Sequence, residues 1–181
     1  MSRVLVAGVG NIFLQDDAFG SEVARRLDGA AMGDGIEVVD VGIAGTHLAL
    51  RLLDGYDALV LVDAVQRGGP PGTLTVLEPA VEDVAHVGSD GSLPTHELDP
   101  LTLLALARAW ECLPPRVLVV GCEAESVAEG LGLTDSVAGA VDAAVEMVTR
   151  VARAEADRLA AVPLDYVPLD PCPLDPCPLD P

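Results

Sequence analysis

Apolar positions along the chain follow two alternating periods. Val4–Ala7, Ile36–Val41, Ala58–Val65 and Val117–Gly121 are short runs dominated by aliphatic residues, interrupted by charge only at Glu37, Asp40 and Asp63. Such runs suit strands of a parallel sheet buried on both faces. Between them the period changes to that of helices. Phe19, Val23 and Leu27 recur at four-residue spacing within Asp17–Asp28, Leu48, Leu52 and Leu53 point inward from Thr46–Asp54, and Leu101, Leu104 and Ala105 do so from Leu98–Trp110. A last helix is predicted over Asp135–Leu159, with Val137, Val141, Val145 and Val148 on one face. Gly29 and Gly55 stop the first two helices, and Pro114-Pro115 stops the third. Thr73–Leu77 is a further strand with no helix before it, so it is expected to run antiparallel. Strands alternating with helices predict an α/β fold: an open, twisted, mostly parallel five-stranded sheet with helices on both faces. That domain is expected over residues 1–160. Residues 161–181 are a separate tail built on a period-five Pro-Leu-Asp-Pro-Cys repeat. So much proline can neither continue a helix nor join a sheet, so the tail is expected to be extended and disordered.

Composition narrows the chemistry. Hydrophobic residues make up 50% of the 181 positions but aromatics only 3%, so the core must be built from Val, Leu and Ala. The net charge of −19 argues against nucleic acid or an anionic membrane surface as a partner. Met1-Ser2-Arg3 leads straight into a strand without a signal-like apolar stretch, and no apolar run is long enough to span a bilayer, so a cytoplasmic setting is expected. Cys112 and Cys122 read as small buried hydrophobes. Cys172 and Cys177 lie in the tail.

The first strand leads into Gly8-Val9-Gly10-Asn11, which invites a dinucleotide-binding reading. That fingerprint needs a third glycine three residues after the second, and the position holds Phe13. Two carboxylates, Asp16 and Asp17, would also repel a pyrophosphate. A nucleotide-binding module using this loop and Asp40 stays as an alternative. Asp16 is expected to do no more than cap the following helix. Asp63 ends the most apolar strand of the chain, where an ionised carboxylate is costly unless it is paired or bound to a metal. If strand one lies between strands two and three, Asp17 and Asp63 share one rim of the sheet. His96, at the end of a long acidic connection, can reach the same rim. His47 lies in a predicted helix and reads as structural, and His86 as a surface residue.

These motifs occur in a familiar order. Gly8-Val9-Gly10-Asn11-Ile12, Asp16-Asp17-x-x-Gly20, Gly42-Ile43-Ala44-Gly45, Val62-Asp63-Ala64, Pro94-Thr95-His96-Glu97-Leu98, Glu125-Ser126 and Gly132-Leu133-Thr134 together resemble the hydrogenase maturation endopeptidases. The resemblance implies an aspartyl-type endopeptidase acting on the large-subunit precursor of a nickel-iron hydrogenase. It would remove a C-terminal extension after nickel has been inserted. Asp17, Asp63 and His96 match the family's metal-contacting positions, the first of which is often Glu in relatives. Nickel would arrive on the substrate, while zinc or cadmium could occupy the site in the isolated protein. One imidazole and two carboxylates suit such borderline ions. The loop Gly42, Ile43, Ala44, Gly45 and Thr46 is expected to hold the substrate tail, and the protein to act as a monomer. A non-catalytic chaperone binding nickel or the precursor would retain the same three ligands and is the second alternative. The tail's Asp170-Pro171-Cys172 resembles the motif near the end of hydrogenase large subunits, so a weak metal-binding or substrate-mimicking role is a further reading of it.

Overall fold

The computed structural model describes residues 3–43, 45–79 and 100–161. Five strands, β1 (Val4–Val9), β2 (Ile36–Gly42), β3 (Ala58–Val65), β4 (Leu74–Leu77) and β5 (Arg116–Glu123), form one sheet in the order β2-β1-β3-β5-β4. The first three pairings are parallel, and β4 runs antiparallel to β5. A tight turn can join only antiparallel neighbours; here β3 reaches β4 through the turn at Gly68–Gly72, and β4 pairs not with β3 but with β5 beyond it. Helices α1 (Phe19–Leu27), α2 (Gly45–Leu52), α3 (Pro100–Ala109), α4 (Asp135–Ala138) and α5 (Val141–Ala160) complete the described elements.

Successive strand residues alternate between two cores, as the pleat requires. Val4, Val6, Val60 and Val62 pack with Phe19, Val23 and Leu27 of α1 and with Val141 and Val148 of α5. Leu5, Ala7, Leu59 and Leu61 pack on the opposite face with Leu48 and Leu52 of α2 and Leu104 of α3. β1 is buried along its whole length. The expected architecture is therefore present, with the sheet covered on both faces.

Several local expectations need correction. The first helix does not begin at Asp17: a 3-10 turn, Gln15–Ala18, precedes α1. The last helix is two, because the chain breaks between Ala138 and Val141 before α5 begins. Leu53 is exposed, since α2 ends at Leu52 and the helical period stops with it. His47 lies on α2 but is exposed, so it supports no core. Cys122 is fully buried as expected, whereas Cys112 follows α3 and is only half-buried.

Glycines set how closely α1 approaches the sheet. A Cβ on Gly20 would lie 2.1 Å from the Val62 carbonyl oxygen and 2.2 Å from that of Val9. One on Gly8 would lie 2.1 Å from the Gly20 carbonyl oxygen. Gly8 is thus a strand residue whose bare backbone admits the helix, rather than the turn residue its motif suggests. Because the obstructing atoms are backbone, Gly20→Ala should lower stability by about 3 kcal/mol, read as a drop in urea midpoint. An unchanged midpoint would show that α1 can lift from the sheet at little cost.

Candidate functional site

The chain leaves β1 for β2 on one side and then returns for β3 on the other, so the strand order reverses between β1 and β3. In open α/β sheets ligands bind outside the C-terminal strand ends at such a point. Gly8 of β1 pairs with Val62 of β3, which sets the next residue, Asp63, at the mouth of this crevice. Asp63 is only 5% exposed. Its strand partner on the far side is Gly121 of β5.

The 3-10 turn packs against β3 and carries Asp17 to the same edge. Gly10 has φ +151°, and a Cβ there would meet the Asp17 carbonyl oxygen at 1.9 Å. Only glycine lets the turn fold back this tightly. The Asn11 N–H then donates to Asp17 Oδ2 at 2.9 Å, which orients the half-buried carboxylate. Two carboxylates from separate elements thus flank the crevice. His96 lies outside the described residues, as does His86. Among the described residues no three His, Cys, Asp or Glu side chains cluster closely enough to hold a metal ion.

Asp16 departs most from its expected role. It caps no helix: the 3-10 turn has no side-chain cap. Instead its carboxylate is fully buried and accepts the N–H groups of Glu125, Ser126 and Thr134 at 2.9, 2.9 and 2.7 Å, and the Thr134 hydroxyl at 3.0 Å. The Asp16 N–H in turn donates to the Ser126 carbonyl at 3.1 Å. Burial alone would push its carboxyl up, but the three backbone donors and the Thr134 hydroxyl together hold it below the ordinary value of 3.8. One carboxylate therefore fastens the loop after β5 to the turn that carries Asp17.

A second buried acid, Glu123, ends β5 and has no signature of its own in the sequence. Its Oε1 accepts the Arg67 and Gly68 N–H groups at 2.8 and 2.7 Å, so it holds the loop after β3. Both acids bond partners remote in the chain, which no local pattern reveals. For Asp16 the one signal lies in the Glu125-Ser126 and Gly132-Leu133-Thr134 motifs, which contain its backbone donors.

Other expected groups fall as follows. Asp40 is exposed and accepts the Gly42 N–H at 3.0 Å, closing the end of β2. Gly42 adopts φ +57° and Ile43 is exposed. Ala44 lies outside the described residues, and Gly45 and Thr46 open α2. The Cys122 thiol is pushed up to about 11 by burial and by the charges of Asp16 and Glu123, so it is no thiolate nucleophile. Burial also raises the Cys112 thiol.

Residues 21–151 match the family model HycI, described as hydrogenase maturation protease. The chain is 33% identical over 153 residues to hydrogenase 2 maturation protease of Escherichia coli strain K12, covering 83% of this chain and 91% of that one. Among solved structures it resembles the hydrogenase 2 maturation peptidase of a Thaumarchaeota archaeon, with 34% identity, TM-score 0.62, and coverage of 83% and 97%. It also resembles the hydrogenase maturating endopeptidase HybD of Escherichia coli, with 28% identity, TM-score 0.62, and coverage of 84% and 93%.

Proposed function

The chain belongs to the hydrogenase maturation protease family and is a peptidase that trims the C-terminus of a hydrogenase large-subunit precursor, and we propose that its cut waits for nickel carried by that precursor, contacted by Asp17, Asp63 and His96. The observation that carries this reading is the crevice between β1 and β3. A nearly buried carboxylate near the C-terminal end of an otherwise apolar strand borders it, and a second stands on the turn packed against that strand. Such a pair suits a divalent ion far better than an anion. His96, matched through its Pro-Thr-His-Glu-Leu motif, supplies the imidazole.

Three protein ligands leave positions open on the ion, and the chain has no His-Glu-x-x-His pair. Free metal is therefore held weakly, and nickel already bound by the precursor's own donors completes the set. Cleavage then follows cofactor assembly. The ion positions the C-terminal segment beside the rim, and a water attacks the scissile carbonyl. Either carboxylate serves as base, or the ion polarises the carbonyl. Gly42 and Ile43, at the C-terminal end of β2, lie on the same edge, and the loop from Gly42 to Thr46 receives the segment to be removed. No helix of the described residues is long and apolar enough to cross a membrane. The proposed setting is the cytoplasm, and the proposed working form is a monomer.

Mass spectrometry of the precursor after incubation tests the reading. Nickel-loaded precursor should lose its C-terminal extension, and nickel-free precursor should stay intact. Equal cleavage of both would remove the gating. Tight binding of loaded precursor without any loss of mass would replace the protease by a holding chaperone.

A further inference from the structure

The chain has two phenylalanines. Phe19 is fully buried, but Phe13 is 62% exposed. In a protein this poor in aromatics, an aromatic displayed beside the crevice is a contact residue in search of a partner. It is not alone. Ile12, Val127 and Leu131 are exposed as well, Leu131 at 77%.

These four side chains come from two loops that run together. Leu14 and Gly130 form a parallel bridge. The Gly130 N–H donates to the Phe13 carbonyl at 2.9 Å, and the Gln15 N–H to the Gly130 carbonyl at 3.1 Å. Buried Asp16 fastens the same two loops from beneath. Ile12 and Leu131 line one cavity of about 380 Å³, together with Ala18, Leu133 and Val141. The apolar pad is therefore built on a fixed backbone, and it shares its loop with Asp17.

Charge indicates what covers it. The two arginines at the cavity, Arg25 and Arg26, are already paired with Glu22, and Arg26 also with Asp142. Among the described residues no arginine pairs with Glu125, Glu129 or Asp135, and all three are exposed, Glu125 and Glu129 on the loop that carries Val127 and Leu131 and Asp135 at the start of α4 just after it. A second copy of this chain would bring another −19 charges against that acidic rim. A partner with an apolar patch ringed by Lys and Arg fits instead.

We propose that Ile12, Phe13, Val127 and Leu131 form the docking surface for the folded body of the large-subunit precursor, which presents an apolar patch with a basic border beside its C-terminal segment. The inference rests on the peptidase reading for the identity of the partner. It assigns recognition of the precursor's body to the pad and recognition of its nickel to the crevice. Docking on the pad is then independent of nickel.

Isothermal titration of the full chain with nickel-free precursor measures docking without turnover. The unaltered chain should bind. Phe13→Asp and Leu131→Asp should each weaken binding about tenfold or more, as loss of an apolar anchor does, while Phe13→Leu should bind within about twofold. With nickel-loaded precursor the same Asp variants should raise KM and leave kcat near the original value. Glu129→Arg should weaken binding and flatten its salt dependence. Should an Asp variant melt early, Leu131→Gln, at an exposed site, takes its place with the same expectation. Unchanged affinity in the Asp variants, no binding of nickel-free precursor, or a dimer of the chain that Leu131→Asp dissociates would each overturn the proposal. Binding through the pad without any cleavage of loaded precursor would instead remove the protease mechanism and leave the docking surface standing.

Discussion

Asp63→Asn will stop processing of nickel-loaded precursor while the protein stays folded. The amide keeps the shape of the carboxylate at the mouth of the crevice, removes its charge and turns one acceptor oxygen into a donor. A neutral amide is cheaper to bury than an ion, which offsets the weakening of the contact that the Asp63 carboxylate makes, so the thermal midpoint should move little. The rate should fall by about 10²–10⁴-fold, the range spanned by loss of a positioned acid or base. Retained melting with lost turnover separates a chemical role from a structural one. Full processing by Asp63→Asn would end the crevice reading. Asp17→Asn should follow the same course, whereas Asp17→Glu should retain cleavage, because it restores the longer acid common in relatives by the resemblance. Loss of activity in both Asp17 variants would mean that the reach of this side chain governs the site as well as its charge.

How far the sequence reveals this arrangement depends on whether each feature is local. β3 spans Ala58–Val65, as its apolar run indicates, because a fully buried strand needs no help from its surroundings to be recognised. The antiparallel β4 is legible because no crossover helix precedes it. The strand order places β1 between β2 and β3, as the rim argument for Asp17 and Asp63 requires. Helix ends are less legible. Val137 and Val141 both lie in the core, so their spacing runs through the break between α4 and α5 without registering it. Leu53 follows the last turn of α2, where the period no longer governs which way a side chain points. The adjacent acids are hardest to separate. Asp16 and Asp17 look alike in the chain, yet one is drawn inward by donors 109 to 118 residues away and the other stays at the rim. His96 and the repeat tail fall outside the described residues, so their roles rest on the motif and on the repeat alone.

Asp16→Ala should be the most destabilising single substitution near the site. Removing the carboxylate leaves the N–H groups of Glu125, Ser126 and Thr134, whose hydrogen bonds are part-buried, without their acceptor. Each unsatisfied buried donor costs roughly 1–3 kcal/mol, and the cavity left behind adds to that. A total loss of about 3–5 kcal/mol is expected, close to the upper end for one residue. The effect should depend on pH in a definite sense. The folded carboxyl is held below its ordinary value of 3.8, so folding favours the ionised form. Its contribution is fully present above the ordinary value and is lost as pH falls through the lowered folded value. Urea unfolding near pH 7 should therefore separate the variant from the original protein most widely, and the gap should narrow as pH falls below the ordinary value of 3.8. A gap independent of pH would mean that packing, not the buried charge, holds the two loops together. The same substitution bears on activity through geometry alone. With the loop after β5 released, the turn carrying Asp17 loses its anchor, and kcat should fall even under conditions where the variant remains folded.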